Sequence, residues 1–418
     1  MKRAGFLILI LLSLFMLQPV AQAQELPAYD RDTVFFTTNR KSVKIPFKLV
    51  HNLIVIPVRI NSSQPLNFIL DSGVKSTLIT RLYFADSLDL RDVNKISIRG
   101  LGEGHSIEAY QSKGNDLHLP GISGVNNEVF VLMEDVFNLS TRMGMPVHGI
   151  IGYNIFKNFI VKINYSNSVI TLYRPDQKIK KRRRAEEYPL YIEGTKPYVY
   201  GKIRQHNGDT VRVKLVVDTG ASNSISLYLP SDERLLLPQK VMKAYLGRGL
   251  SGDINGQIGR LEAFSLGKYE LQDLTASYPD ESSIKLALNV GDRNGNLGSD
   301  ILSRFTVIFD YPHNRLIMIP NKRFKEPFSY NMAGFEVTTP LPGTNFYIVS
   351  NVIEDSPAKL VGLEPGDQLL HVNGRNCSDI MLPELLRLLE SKPGRKLRIR
   401  LRREAEIVDV DLVLQSRI

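Results

Sequence analysis

Two acidic tripeptides stand where apolar, strand-like runs end. Asp71-Ser72-Gly73 follows Phe68-Ile69-Leu70, and Asp218-Thr219-Gly220 follows Leu215-Val216-Val217. Burying a carboxylate at such a place is costly unless it receives hydrogen bonds, and the adjacent hydroxyl and the N–H groups of a glycine-containing turn can donate them. The two tripeptides therefore predict a pair of buried, hydrogen-bonded carboxylates if the fold brings them together.

Two carboxylates a few ångströms apart cannot both ionise cheaply, so such a pair shares one proton. The ionised member can take a proton from a water held between them, while the protonated member donates to a carbonyl oxygen. This chemistry suits peptide hydrolysis and needs neither a metal nor a cofactor, and we expect neither. The single cysteine, Cys377, and seven scattered histidines provide no ligand set of the usual spacing.

The sequence around the two aspartates is repeated. The aspartates are 147 residues apart, and Gly100-Leu101-Gly102 matches Gly247-Arg248-Gly249 at the same distance. Further on, Gly149-Ile150-Ile151-Gly152 matches Gly295-Asn296-Leu297-Gly298 one residue closer. The spacing between matching motifs changes by only one residue over a stretch of about a hundred residues, which predicts a duplicated domain.

The predicted fold class is mainly β, with the copies at residues 47–175 and 197–322. Both contain short runs of Val, Ile, Phe, Tyr and Thr separated by Gly, Asn, Asp and Pro, and neither shows a helix longer than one or two turns. Each copy is expected to form a small closed β-barrel. Packing of the copies about a pseudo-two-fold axis would bring Asp71 and Asp218 together.

These motifs resemble the pepsin and retropepsin clan of aspartic peptidases, above all the retropepsin-like bacterial aspartyl proteases. The resemblance covers residues 47–322 and implies a bilobed protease with Asp71 and Asp218 as the catalytic pair. It further implies that Ser72 and Thr219 brace the two loops across the axis and that Gly73 and Gly220 keep the loops tight. Flaps closing over substrate are implied for two glycine-rich stretches, at Gly100, Gly102, Gly104, Gly247 and Gly249.

Two residues depart from the family pattern. Lys75 places a cation close to the expected dyad, where it could pair with an acidic substrate side chain, lower the pKa of Asp71, or point to solvent. Asn296 stands where an apolar residue is usual, which puts the packing behind Asp218 in question. The alternative to an active protease is a catalytically degenerate relative that binds peptides or acts as a scaffold.

The C-terminal residues 330–418 have a different pattern, with Asp355-Ser356-Pro357-Ala358, Gly366-Asp367, Val372-Asn373-Gly374 and a leucine-rich helix. They resemble a PDZ domain of the kind found in bacterial proteases, β-rich with one or two helices. The resemblance implies that a peptide or protein partner adds as a strand beside the groove helix. The matching segment is Gly334, Phe335, Glu336 and Val337. The leucines of the helix face either the core or the groove.

The N-terminus has the order of a secretory signal peptide: basic residues, an apolar run, then small residues. We expect residues 1–23 to be cleaved after Ala23 and residues 24–46 to form an N-terminal segment. The mature chain would then lack a transmembrane segment and be exported to a bacterial periplasm or the exterior.

The net charge of +10 comes largely from one stretch. We interpret residues 176–196 as a basic linker between the lobes; attraction to an anionic membrane surface or cleavage by a trypsin-like protease are alternatives. A local run is unlike the spread basic surface of nucleic-acid readers, so no nucleic-acid partner is expected. Peptides or proteins are the expected substrates. The basic residues are Lys178, Lys180, Lys181, Arg182, Arg183 and Arg184.

Overall fold

The computed structural model describes residues 33–81, 83, 88–180 and 182–418. The expected signal peptide and the first part of the N-terminal segment lie outside these residues. Within the described part of the chain, strands predominate, and they form two barrel-like lobes and a C-terminal domain. The prediction of a mainly β fold with duplicated lobes is confirmed.

Lobe 1 is a nine-stranded sheet that closes on itself through pairing of two long strands, β8 and β9. Two further strands and the N-terminal β2 leave this barrel to join a sheet between the lobes. The elements in chain order are β1 (Thr33–Phe36), β2 (Ser42–Pro46), β3 (Lys48–Val50), β4 (Leu53–Ile60), β5 (Leu66–Leu70), β6 (Thr77–Ile79), β7 (Val93–Ile98), β8 (Ile107–Leu119), β9 (Ile122–Leu132), α1 (Leu139–Met143), β10 (Gly149–Ile151), α2 (Tyr153–Asn158), β11 (Ile160–Asn164) and β12 (Val169–Tyr173).

Lobe 2 repeats this arrangement, with β15 and β19 closing its barrel. Its elements are β13 (Glu186–Pro189), β14 (Tyr191–Glu193), β15 (Lys196–Arg204), β16 (Thr210–Val217), β17 (Ile225–Leu227), β18 (Val241–Gly249), β19 (Gly252–Leu266), β20 (Tyr269–Pro279), α3 (Glu281–Val290), β21 (Gly295–Leu297), α4 (Ser299–Leu302), β22 (Phe305–Asp310) and β23 (Arg315–Pro320), with 3₁₀ turns at Leu229–Ser231, Tyr311–His313 and Lys322–Lys325.

A short glycine-initiated strand crosses the middle of each lobe. In lobe 1, β10 lies between β5, to which it is parallel, and β6, to which it is antiparallel. In lobe 2, β21 has the same two relationships with β16 and β17. Because β5 and β16 are the strands that end in the acidic tripeptides, each crossing strand fixes the start of one acidic turn.

The lobes share a six-stranded sheet in the order β13-β23-β22-β11-β12-β2. Its central pair joins the copies, with Ile163 opposite Val307. One face contributes Val161 and Phe309 to an apolar core that is continuous through both lobes. The lobes are therefore one packed body rather than two independent units.

Two segments differ from the sequence-based description. The range assigned to a linker contains β13 and β14, and Ala185 packs against the shared sheet beside Ile308 and Ile317, so the basic run is flanked by ordered structure. The expectation of helices no longer than two turns was wrong for α3, ten residues long. Ile284 and Ala287 are buried on one face of α3, and this burial stabilises the helix.

The C-terminal domain is a small sheet in the order β24-β25-β26-β28-β29, with a separate apolar core. Its two short helices agree with the prediction. Its elements are β24 (Phe335–Thr338), β25 (Tyr347–Val352), α5 (Pro357–Leu360), β26 (Gln368–Val372), β27 (Arg375–Asn376), α6 (Leu382–Leu389), β28 (Lys396–Arg403) and β29 (Glu406–Val413), with a 3₁₀ turn at Cys377–Asp379.

This domain packs on both lobes. The Thr339 N–H donates to the Thr141 carbonyl in α1 of lobe 1 at 2.9 Å. The guanidinium of Arg260 in lobe 2 donates to the Phe328 carbonyl at 2.9 Å and lies over the Tyr330 ring. None of the helices in the described ranges has the length and apolar character needed to cross a bilayer.

We predict that Gly149→Ala destabilises the protein. A Cβ at position 149 would lie 2.3 Å from the Leu78 carbonyl oxygen and 2.3 Å from a ring carbon of Phe68. Overpacking of this kind costs about 1–3 kcal/mol, because strands on both sides must shift. The matched control is Gly291→Ala, where a Cβ meets nothing within 4 Å and the backbone is extended. Thermal melts should show a clear fall in Tm for Gly149→Ala alone, and equal Tm values would contradict the packing described.

Candidate active site

The two acidic turns face each other at the junction of the lobes. The Asp71 N–H donates to the Ile151 carbonyl at 2.8 Å, and the Asp218 N–H to the Leu297 carbonyl at 2.9 Å, so each turn starts from its crossing strand. A Cβ on Gly220 would lie 2.3 Å from the Asp71 carboxyl carbon. Glycine is thus required where the turn of one lobe approaches the carboxylate of the other.

Each carboxylate also accepts a hydrogen bond within its own turn. The Gly73 N–H donates to Asp71 Oδ1 at 2.6 Å, and the Gly220 N–H donates to Asp218 Oδ1 at 2.9 Å. Both aspartate residues keep part of their surface exposed. The pair therefore has fixed, hydrogen-bonded oxygens and an open side from which a ligand can approach.

Behind the carboxylates, Ser72 and Thr219 form a reciprocal set of hydrogen bonds across the lobe interface. The Ser72 N–H donates to Thr219 Oγ1 at 2.9 Å, and the Thr219 N–H donates to Ser72 Oγ at 3.0 Å. Each hydroxyl in turn donates to the carbonyl before the opposite aspartate, Ser72 Oγ to Val217 at 2.6 Å and Thr219 Oγ1 to Leu70 at 2.8 Å. Both residues are fully buried. We call these four bonds the interlobe grip.

Comparison with known proteins agrees with this geometry. The family model described as aspartyl protease matches residues 56–155 and 200–301, one range in each lobe. The PDZ domain model matches residues 348–403. The chain carries two retropepsin-like aspartyl protease lobes and a PDZ domain. The predicted family resemblance is thereby confirmed.

One similar curated protein is the carboxy-terminal processing protease CtpA of Bacillus subtilis (strain 168). It is 31% identical over 94 residues, which are 22% of this chain and 20% of the relative. The chain thus spans about a fifth of the length of that protein.

The dyad of the aspartyl protease lobes is asymmetric. The Asn296 side-chain amide donates to Asp218 Oδ2 at 2.7 Å, and its oxygen accepts from the Tyr228 hydroxyl at 3.1 Å. The matching residue of lobe 1, Ile150, has no polar side chain to offer Asp71. Asn296 is therefore no packing defect, and the doubt that its sequence position raised was misplaced.

Burial and the nearby Asp218 carboxylate raise the pKa of Asp71 to about 8. An N–H donor directed at Asp218 stabilises a negative charge on that residue rather than on Asp71. The raised pKa thus favours a shared proton held on Asp71 at neutral pH.

The cation near the dyad is Lys196 rather than Lys75. Lys75 is exposed to solvent, which was one of the alternatives considered for it. Lys196, at the start of β15, is partly buried and interacts electrostatically with both Asp71 and Asp218. The sequence offered no local sign of this, because Lys196 is distant from both tripeptides along the chain and approaches them only through the pairing of β15 with β16.

The predicted flap glycines lie at two loop tips that contact each other. Gly100, Gly102 and Gly104 are in the loop between β7 and β8, and Gly247 and Gly249 are at the end of β18. The Ser251 N–H donates to the Leu101 carbonyl at 2.9 Å. A Cβ on Gly249 would lie 2.1 Å from that same carbonyl oxygen, so the tips approach too closely for a side chain there.

Each flap tip also inserts a leucine into the opposite lobe, which sequence reasoning missed. Leu101 packs against the cluster of Tyr228, Ile284 and Ala287 in lobe 2, and Leu250 packs against the cluster of Leu78, Ala109 and Leu132 in lobe 1. The first flap is held further by Glu103, which accepts hydrogen bonds from the hydroxyls of Ser282 and Ser283 at 2.8 and 3.0 Å. The cluster on which Leu101 packs thus includes Tyr228, whose hydroxyl donates to the Asn296 side chain beside Asp218.

In the PDZ domain, the predicted peptide-binding segment forms the edge strand β24 and the turn before it. Gly334 has a φ of 82°, and a Cβ there would lie 2.1 Å from Ser356 Cβ. Phe335 is fully buried in the domain core, whereas Glu336 and Val337 are partly exposed. In α6, Leu382, Leu385 and Leu389 are buried, and Leu386 is partly buried. These leucines therefore belong mainly to the core.

We predict that the hydroxyl of Thr219, which forms part of the interlobe grip, stabilises the protein more than its methyl group does. Thr219→Val keeps the shape of the side chain but leaves the Ser72 N–H and the Leu70 carbonyl buried without partners, which costs about 1–3 kcal/mol. Thr219→Ser, the matched control, keeps the hydroxyl. Thermal melts should give a markedly lower Tm for Thr219→Val than for Thr219→Ser, and the reverse order would contradict the described bonding.

We also predict that Asp71→Asn gains stability relative to the wild type as pH rises. The pKa of Asp71 is raised in the folded state, so the folded chain holds this proton more tightly than the unfolded chain. The stability that Asp71 contributes is complete below about pH 4 and is lost as pH approaches about 8. Asparagine has no such proton to lose.

The measurement is the Tm difference between Asp71→Asn and wild type at pH 5 and pH 8.5. It should be larger at pH 8.5. Asp176→Asn, which changes an exposed carboxylate in the same way, should show no such growth. A difference for Asp71→Asn that is independent of pH would contradict a proton on Asp71.

Proposed function

We propose that this protein is an exported aspartic endopeptidase that cleaves peptide bonds with Asp71, Asp218 and an activated water. The observation that carries the proposal is the pair of carboxylates that face each other from the two lobes over the interlobe grip. The aspartyl protease match in both lobes supports the same activity.

The asymmetry of the dyad supports distinct roles for its members. Asp218, whose charge the Asn296 amide stabilises, acts as the general base and removes a proton from the water. Asp71, protonated at neutral pH, donates its proton to the scissile carbonyl oxygen as the water oxygen bonds to the carbonyl carbon. Collapse of the resulting diol breaks the C–N bond. The amine leaves with the proton that Asp218 took from the water, and a diol hydroxyl returns a proton to Asp71 as the carboxylic acid forms, which restores the dyad.

The flaps provide the means to enclose a substrate. The two tips are joined by the hydrogen bond from the Ser251 N–H to the Leu101 carbonyl, and a peptide bound beneath them would separate them. Closure behind it would exclude bulk water and strengthen the electrostatic interactions at the carboxylates. Leu101 packs on the cluster that contains Tyr228, whose hydroxyl bonds Asn296, so this flap closes beside the residues that support Asp218.

The PDZ domain indicates binding of peptides or proteins. We propose that it captures substrate tails or tethers a partner, with the peptide added along β24. Its contact with α1 of lobe 1 keeps it at a fixed place beside the protease lobes. Export to the periplasm or exterior is part of the proposal and is supported by the order of residues at the N-terminus.

We predict that Asp71→Asn and Asp218→Asn each lower kcat/KM for peptide cleavage by at least about 100-fold, because each removes one of the two proton-transfer groups. Cleavage of an unstructured protein substrate by the mature chain is the measurement, with Asp176→Asn as the control that keeps activity. A statine-type transition-state analogue should inhibit the wild type.

Cleavage that survives both substitutions would remove the dyad from the mechanism. A wild-type protein that binds peptides without cleaving them, at any pH between 3 and 8, would support the alternative of a peptide-binding scaffold.

A further inference from the structure

Lys196 lies at the end of the strand pair that leads into the Asp218 turn. Strands β15 and β16 are antiparallel, with Tyr198 opposite Val216. Lys196 begins β15 two residues before Tyr198, and Asp218 directly follows the end of β16. Lys196 accordingly interacts electrostatically with both aspartates.

The acidic residue best placed to neutralise Lys196 is already engaged. Glu193 is the cross-strand partner of Lys196 in the β14–β15 hairpin. Its carboxylate instead accepts from the Lys214 ammonium at 2.8 Å, which also binds Asp292. Among the described residues, Lys196 has no ion pair of its own.

A second cation, Arg293, stands beside it. Arg293 is 5% exposed, and its guanidinium lies over the Tyr228 ring at 5.3 Å. No carboxylate in the described part of the chain forms an ion pair with it, although burying a guanidinium without a partner is costly. Arg293 and Lys196 repel each other, and Tyr228 joins Arg293 to the Asn296 amide that binds Asp218.

Within the described ranges, neither of these two cations therefore has a carboxylate bonded to it, because the carboxylates of Glu193 and Asp292 are both taken by Lys214. A carboxylate of a bound peptide would supply both cations with a hydrogen-bonding partner.

We propose that Lys196 and Arg293 form a subsite for a substrate carboxylate next to the scissile bond, so that the enzyme prefers peptides with Asp or Glu at the residue bound against lobe 2. This inference rests on the proposed protease function. The carboxylate comes from an acidic side chain or from the C-terminus of a short peptide, and both present the same chemistry to the two cations.

The test uses peptide pairs that differ by Glu or Gln at one position from P3 to P3′, each made with a free or an amidated C-terminus. Wild type should cleave one Glu peptide with about tenfold higher kcat/KM than its Gln partner, the discrimination expected of a charged contact in a partly buried site. A preference that follows the free C-terminus instead would identify the chain end as the source.

Three variants tie the preference to the subsite. Lys196→Met should reduce the Glu/Gln ratio to below about threefold, and Lys196→Arg, which keeps the charge, should retain most of it. Lys202→Met, an exposed lysine on the same strand, should leave the ratio unchanged. A loss of ratio in Lys202→Met equal to that in Lys196→Met would overturn the assignment.

Binding measurements separate this proposal from the proposed function. Asp71→Asn, in which cleavage is not expected, is titrated with the same Glu and Gln peptides. Tighter binding of a Glu peptide, lost in the double variant with Lys196→Met, supports the subsite even if the wild type cleaves nothing. Equal affinity and equal cleavage of every Glu and Gln pair would overturn it, while cleavage itself would still support the protease.

Discussion

The interlobe grip is the interaction on which the site depends. Its four hydrogen bonds are buried where an unpaired donor or acceptor is costly, so the two acidic turns have little freedom to move independently. The surrounding strands hold the two acidic turns in place. The crossing strands β10 and β21 fix where each turn begins, and the six-stranded sheet below holds the lobes at the distance that lets both hydroxyls reach across.

On this nearly symmetric frame, the residues around the aspartates are not symmetric. Asn296 serves Asp218, Ile150 occupies the matching place in lobe 1, and the cations Lys196 and Arg293 lie on the side of lobe 2. The frame determines how far apart the carboxylates are, whereas these neighbours determine which of them holds the proton. The flaps add to the difference, because Leu101 packs against the cluster that contains Tyr228, which bonds Asn296, while Leu250 packs against the cluster of Leu78, Ala109 and Leu132.

The repeat made much of this predictable. Residues at matching positions of a duplicated domain are related by its pseudo-two-fold axis, so a spacing of 147 residues makes Ser72 the counterpart of Thr219 and one flap the counterpart of the other. What sequence could not supply was strand register. Lys75, three residues from the dyad loop's hydroxyl, points to solvent, whereas Lys196 reaches the dyad through the pairing of β15 with β16. Asn296 was noticed as unusual, but its hydrogen bonds to Asp218 and Tyr228 depend on how β17 and β21 pair.

Carrying both acidic turns on one chain has a consequence for how the site assembles. In a dimer built from identical half-size subunits, the dyad would exist only at concentrations above the dissociation constant, and any residue present at one aspartate would be present at the other. Here the lobes are joined by the twelve residues from 174 to 185, seven of which are basic, so their effective concentration is set by that connection and not by the amount of protein. Because both copies lie on one chain, position 150 is isoleucine while the matching position 296 is asparagine. Two identical subunits would carry the same residue at both places.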